Sequence, residues 1–352
     1  MPRFYACALL LYICAGNYSG EEGRPLLGPG APVTATPVPL DPFNPSRRTV
    51  GVLTFLGGWQ LTSPDPAFGS ISAMALNGRR FTMLSDSGGL MQFDLDDGGR
   101  ATRVQFTDLP SGPTGGWTKG SRDSESMTAD PQSGRAWVGF ESRNQIWRYS
   151  PGFKRAEAHA WPPALRDWPP ATGPESMVRL RSGKFVLIAE NADGPHGSDD
   201  ALLFPGDPTT PGIVPLRFGY RLPPGYRVTD ALELPDGRLL VLHRKVTMLK
   251  LKLRWINGRP RIVRGIQSLL RIVDIRGVKP GQVVDGIDIA RLAWPLTADN
   301  FEAMALGREG GKTILWIASD DNYTFYQRTL LMKFAFGRGS AVPSPTPEAK
   351  RP

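Results

Sequence analysis

Acidic residues recur along this chain in a repeated phrase. Glu125, Glu175 and Glu302 each stand before Ser or Ala and then Met, and a second acid follows 15 to 18 residues later at Glu141, Glu190 and Asp320. Two further segments, Ser72-Ala73-Met74 and Asp230-Ala231-Leu232, carry the phrase in altered form, with Asp86 and His243 in the second place. Carboxylates brought together repel one another unless a cation or a proton lies between them. Hard oxygen donors of this kind favour Ca²⁺, with Mg²⁺ as the alternative. A divalent ion held there would polarise a phosphoryl or carbonyl oxygen or activate water, and a crowded carboxylate with a raised pKa would act as general base. The candidate ion ligands are Glu125, Glu141, Glu175, Glu190, Asp230, Glu302 and Asp320. Glu125, Glu175, Glu302 and His243 are the candidate catalytic groups, and Asp86, Arg143, Arg244, Asp321 and Asn322 the candidate substrate contacts. Against this stands a plain alternative: single acids that cap strands or pair with Arg122, Arg143 or Arg244.

The elements that would position these groups are β-hairpins. Each phrase leads into a Gly-centred turn (Asn77-Gly78, Ser133-Gly134, Ser182-Gly183, Asp236-Gly237, Gly310-Gly311) and then a β-favouring run such as AWVGFE or FVLIAE. The two acids of a pair are equidistant from the turn, so they lie at one height in the hairpin. Asp230 and His243 are centred on Asp236-Gly237 in the same way. Successive phrases are 53, 50, 55 and 72 residues apart. A strand-built period near 50 is that of a β-propeller with four-stranded blades. The length fits six blades, with five as the alternative. Third strands are expected at Gly89–Leu95, Gln145–Tyr149 and Val246–Trp255. The segment Val50–Leu61 has no nearby partner and is expected to close the ring against the last blade. The first strand of each blade lines the channel, so the acid pairs would meet at one mouth of it.

Composition agrees. Gly and Pro make up 74 of 352 residues, too many breakers for a helical bundle. Three His and two Cys do not supply a His- or Cys-built metal site or a disulfide scaffold. Residues 1–20 have Arg3 followed by an apolar run, the pattern of an export signal, which implies a periplasmic or secreted protein. Lipid anchoring at Cys14 is the variant of that reading, weakened by Ile13 where a small residue is expected. Residues 21–48 hold seven prolines and read as a linker, 49–337 as the folded body and 338–352 as a disordered tail. No stretch reaches the length of a membrane-spanning helix.

The blocks DSESMTADPQSGRAWVGFESRNQIWRY, GPESMVRL and DNFEAMAL with ILWIASDDN resemble the phytase-like domain of exported bacterial proteins, described as esterase-like activity of phytase. The resemblance implies a β-propeller and an esterase or phosphoesterase activity tied to Glu125, Glu175 and Glu302, with Glu141, Glu190 and Asp320 as second members. The expected substrate is a small ester or phosphoester. A lactonase-like propeller with a single calcium is a variant within the enzyme class. A non-catalytic propeller that binds a ligand or protein in the cell envelope is the alternative.

Other features carry less. Residues 244–279 hold eleven basic residues and one acid, and MLKLKLRW alternates apolar with basic. This fits an anionic envelope surface or a strand edge guarded against pairing. Nucleic acid is not expected, since no reader motif is present. GREGGKT at 307–313 lacks the first Gly of a P-loop and joins two strands. The loop Asn191–Asp200 does not have EF-hand spacing. Trp137, Trp147 and Trp316 are expected to pack between blades.

Overall fold

The computed structural model describes residues 28, 31–96, 98–114, 122–170, 173–247, 252–256, 259–263, 265–324 and 327–337, with side chains described outside 252–263. The expected export signal, Cys14 and the expected 338–352 tail lie outside these residues. Among the described residues no helix is long and apolar enough to cross a membrane.

The repeated hairpins fold as a five-bladed β-propeller, the alternative count rather than the six favoured by length. Blade 1 runs Ile71–Asn77, Arg80–Ser85, Gly89–Leu95, Ala101–Asp108, and blade 2 runs Ser124–Ala129, Ala136–Phe140, Gln145–Tyr149, Ala156–Ala160. Blade 3 is Ser176–Arg179, Phe185–Asp193, Asp199–Phe204, Leu216–Tyr220, with Val283–Val284 added in parallel at its edge. Blade 4 is Arg227–Glu233, Leu239–Val246, Ile266–Val273, Gly286–Leu292. Blade 5 takes Asn300–Glu309, Lys312–Asp320 and Leu330–Phe336 from the end of the chain and Leu53–Thr62 from its beginning. The first strands touch their neighbours all the way round the axis.

The long interval before Glu302 does not hold a sixth blade. Part of it is an insertion between the second and third strands of blade 4, where Lys252–Ile256 pairs with Arg259–Val263 as a separate two-stranded sheet. The third strand expected at Val246–Trp255 is therefore Ile266–Val273 instead. Strand two runs toward the acidic end of the blade, so this basic hairpin leaves from the mouth side.

The ring closes as expected of the unpartnered N-terminal strand. Leu53–Thr62 pairs antiparallel with Leu330–Phe336, and its Leu53, Phe55, Trp59 and Leu61 are buried. Each such side chain contributes on the order of 1.5–3 kcal/mol through burial. The proline-rich stretch is extended, yet from residue 31 it is part of this body and not a free linker. Thr34–Pro37 pairs with Leu53–Thr62 as a further outer strand, and Leu40 is fully buried.

The core consists of five separate clusters, one between each pair of adjacent blades. The tryptophans wedge these seams as expected. Trp316 of blade 5 meets Phe81 of blade 1 edge-on with centroids 5.0 Å apart, and Trp137 of blade 2 meets Phe185 of blade 3 at 5.0 Å. Trp147 lies in the cluster between blades 1 and 2.

Candidate functional site

One backbone device aims the mouth residues. The ladder between the first two strands slips by one residue between Ile71 and Ala73, Ser124 and Ser126, Val228 and Asp230, and Phe301 and Ala303. A bulge of this kind leaves one residue unpaired and redirects its side chain. The bulged residues are Ser72, Glu125, Thr229 and Glu302, and Glu175 holds the matching place just before the first pair of blade 3. The residues that close the second strand are Asp86, Glu141, Glu190, Arg244 and Asp320; in the ladder Arg244 lies opposite Arg227 and Asp320 opposite Asn300, two places before the bulged residue. The mouth is thus built from five bulge positions and five closing positions.

This register corrects blade 4, where the acid pair was expected at Asp230 and His243. A shift of one residue moves a side chain to the opposite face, so the bulge and closing positions of this blade are Thr229 and Arg244, with Arg244 paired to Arg227 in the ladder. Asp230 faces the seam with blade 5, where its carboxylate accepts the Met304 N–H at 2.6 Å and the Ala231 N–H at 2.7 Å. Burial pushes its pKa well up, with both N–H donors opposing. It is a tie between two inner strands, with both oxygens engaged, and not an ion ligand. His243 is fully buried between Tyr220 and Leu269: Nε2 lies 2.7 Å from the Tyr220 hydroxyl and Nδ1 3.1 Å from the Leu269 carbonyl. Burial lowers its pKa to about 3, so it is neutral and has no catalytic position.

Between blades 2 and 3 the acids do converge. Carboxylate oxygens of Asp123, Glu125 and Glu141 lie within 4.8 Å of one another, as do those of Glu141, Glu175 and Glu190. Glu141 belongs to both triads. Two glycines allow this approach: a Cβ on Gly173 would lie 2.7 Å from the Glu141 Cα, and one on Gly139 would lie 2.4 Å from the Ser126 Oγ. Ser126 in turn donates to the Pro174 carbonyl at 2.5 Å, which fixes the strand carrying Glu175. Glu125 is pushed well above its usual range by burial, then by Glu175, Asp123, Glu141 and Glu302. Glu141 rises to about 8, through burial, the charge of Asp123 and a hydrogen bond shared with it, and Glu190. Without a cation, a proton must sit between Asp123 and Glu141. Glu175 is also raised, by burial, Glu190 and Glu141, and here Arg244 pulls the other way.

Between blades 4 and 5 the acids are compensated. Arg244 donates to Glu302, to Asn300 Oδ1 at 3.1 Å and to Glu190 Oε1 at 3.2 Å. Arg227, which faces Arg244 across the strand pair, donates to the other Glu190 oxygen at 3.1 Å. The Asn300 amide donates to Glu302 at 2.8 Å and to Asp320 at 3.2 Å. Burial by itself would lower the Arg244 pKa, but Glu302, Glu175, Glu190 and Asp320 raise it, so the guanidinium stays charged. Asp320 is raised well above its usual range by burial, Glu302 and Asp86.

The remaining expected contacts divide. Asp86 is buried and accepts the Ser70 hydroxyl at 2.6 Å. Asp321 does not face a substrate: its carboxylate accepts the Ser70 and Tyr323 N–H groups at 2.9 and 3.1 Å and the Thr329 hydroxyl at 2.8 Å, latching blade 5 to blade 1. Arg143 and Asn322 are exposed on mouth-side turns. In the rim loop, Asp200 is buried against Trp168 and Arg217, away from the mouth. Sequence reasoning missed Asp123, Thr229 and Arg227. Asp123 had a signal, since Asp123 and Glu125 stand two apart around Ser124, the spacing that puts both on one side of a strand.

The described oxygen donors suit a hard divalent ion. Ser142 donates to Asp123 Oδ2 at 2.9 Å, an outer contact of the kind that orients a ligand.

The sequence matches the phytase-like family, described as esterase-like activity of phytase, over residues 66–323. The chain belongs to that family. None of the curated proteins compared with it matches this chain. Solved structures similar to it include the PQQ-bound aldose sugar dehydrogenase of Streptomyces coelicolor, at 12% identity over 88% of this chain and 99% of that one, with a TM-score of 0.42. The allergen Mala s 1 of Malassezia sympodialis is similar at 12% identity, 80% and 88% coverage and a TM-score of 0.41. The β-propeller domain of Cps50 (Swd1) from Myceliophteria thermophila is similar at 11% identity, 75% and 96% coverage and a TM-score of 0.35. These likenesses are too distant to bear on the chemistry.

Proposed function

We propose that this member of the phytase-like family is an exported, cation-dependent hydrolase of small esters or phosphoesters, working at the acidic mouth between blades 2 and 3. One observation carries the reading: carboxylates of Asp123, Glu125 and Glu141 converge there, and the largest charge effects on Glu125 and Glu141 come from other carboxylates. Buried like charges need a counter-ion, and the triad with no ion pair among the described residues is where a calcium or magnesium ion belongs. The second triad already has Arg244 beside it.

A divalent ion in this place supplies polarisation of a phosphoryl or carbonyl oxygen and a lowered pKa for water. Asp123, Glu125 and Glu141 hold it, with Ser142 orienting Asp123. Glu175 is the carboxylate next to the triad that is left free to move a proton. Its raised pKa suits a general base, which takes a proton from attacking water as the water oxygen bonds to phosphorus or to the carbonyl carbon. The leaving alkoxide then takes that proton. Glu302 is held by Arg244 and Asn300 and contributes charge to the mouth. Arg143 and Asn322, on the rim, are the substrate contacts in this reading.

Export and a periplasmic or secreted location rest on the pattern of residues 1–20. The basic hairpin, which leaves from the mouth side, is the proposed contact with an anionic envelope surface. Its two paired strands, Lys252–Ile256 and Arg259–Val263, carry four basic residues and no acid.

The test is hydrolysis of phosphomonoesters, phosphodiesters, carboxyl esters and lactones, each with calcium, with magnesium and after chelation. Turnover lost on chelation and in Glu125→Gln supports the reading and names the substrate class. A folded protein with no turnover under any of these conditions is instead a binding propeller.

A further inference from the structure

The mouth contains a cation of its own making. Of the five closing positions, four carry acids (Asp86, Glu141, Glu190, Asp320) and the fifth carries Arg244. Its guanidinium sits among Glu190, Glu302 and Asn300, the place where a second ion would complete a two-ion cluster. Such a cluster would otherwise be natural, because the two carboxylate triads share Glu141, and paired ions are commonly joined by shared ligands at about 3.5–4 Å. Both oxygens of Glu190 are already engaged, one by Arg244 and one by Arg227. Asn300 ties Glu302 to Asp320 on the far side.

We infer that Arg244 is an internal counter-cation that fills the half of the mouth between blades 4 and 5 and limits the site to one divalent ion, held by Asp123, Glu125 and Glu141. The inference rests on the cation-dependent reading above and deepens it, since it assigns one-ion rather than two-ion chemistry. A guanidinium cannot be displaced as a bound ion can, so the Glu190 oxygen it holds is kept from a second ion at any calcium concentration. Lysine would preserve that charge. A neutral side chain would leave the triad of Glu141, Glu175 and Glu190 without that charge beside it, a second oxygen site of the same kind as the first.

The experiment counts calcium ions bound per full-length chain by equilibrium dialysis, alongside calorimetric titration and circular dichroism to show that the fold is intact. One ion is expected in the wild type, one in Arg244→Lys and two in Arg244→Gln. Two ions in the wild type would overturn the inference whether or not any variant folds. So would a folded Arg244→Gln that still binds one. No ion in the wild type would remove the cation-dependent reading itself, a result distinct from either of these. Arg227→Gln, which releases only one oxygen of Glu190 at the half-exposed rim, is expected to keep a single ion; two ions in that variant would show that Arg244 is not the limiting charge.

Discussion

Blades 2 and 3 meet at the mouth with carboxylate facing carboxylate, whereas blades 4 and 5 meet there with Arg244 between them. Both halves use the same backbone: a bulged residue on the first strand and a closing residue on the second. In one half those residues are Glu125 with Glu141 and Glu175 with Glu190, and two glycines bring the blades close. In the other they are Thr229 with Arg244 and Glu302 with Asp320, and an asparagine amide ties the two acids together. The fold therefore repeats a position, and the residue placed there decides whether it must find a cation outside the chain or already has one. A pseudo-symmetric ring becomes an asymmetric site through Arg244 in place of an acid, with Ser72 and Thr229 where other blades carry Glu.

The largest test of this difference lies on the uncompensated side. Glu141→Gln removes the carboxylate common to both triads and is expected to lower both calcium affinity and hydrolysis by at least about 100-fold, read by titration and by kcat/KM. Ser142→Ala, which only loosens Asp123, is expected to cost about 10-fold in calcium affinity. Next in size is the compensated side. Arg244→Gln leaves partly buried carboxylates unpaired and is expected to lower stability by roughly 3 kcal/mol in urea unfolding with chelator present. Added calcium should recover part of that loss in the variant. Outside the contrast altogether, Asp230→Ala is expected to cost about 2 kcal/mol, since it strands two buried N–H donors. Calcium stoichiometry should be unchanged in that variant.

The smallest effect is a slope with pH. Glu141 moves from its ordinary 4.5 up to about 8 on folding, so between those values the folded state holds the extra proton and stability falls as pH rises. His243 runs the other way: its folded value of about 3 lies below its ordinary 6.5, so its effect raises stability with pH up to 6.5 and then ends. In chelator, the melting temperature is therefore expected to fall between pH 6.5 and 8, where only the carboxylates remain in play. Saturating calcium should flatten that slope. A slope unchanged by calcium would mean that the carboxylates do not bind it.

Much of this was legible in the repeat. The hairpins, the closing strand and the pairs Glu125 with Glu141, Glu175 with Glu190, and Glu302 with Asp320 follow from turn chemistry and equal spacing. The blade count did not, because spacing alone cannot distinguish an inserted hairpin from another blade. Blade 4 was misread for a sharper reason. Its acid, Asp230, stands one place past the bulge, and aligning it with the other acids by residue type slipped both strands by one. The sequence pattern gave no warning, since Asp230-Ala231-Leu232 matches Glu125-Ser126-Met127 place for place. Asp123 lies just ahead of the repeated phrase, and its part in the cluster depends on the fold. The roles of Asp321 and Ser70 depend on contacts between residues 251 apart, which no local pattern announces.

The strand Leu53–Thr62 must wait for its partner. It is made near the start of the chain, while Leu330–Phe336 comes more than 260 residues later, so blade 5 is the last to be completed however early the others form. Until then the chain is an open arc with two unsatisfied edges, and a nascent polypeptide stays free of the finished ring. Once zipped, the same pairing makes the first and last blades of the arc depend on each other. Loss of the final strand would reopen a seam at the far end of the sequence, and the propeller should come apart there rather than fray from either terminus.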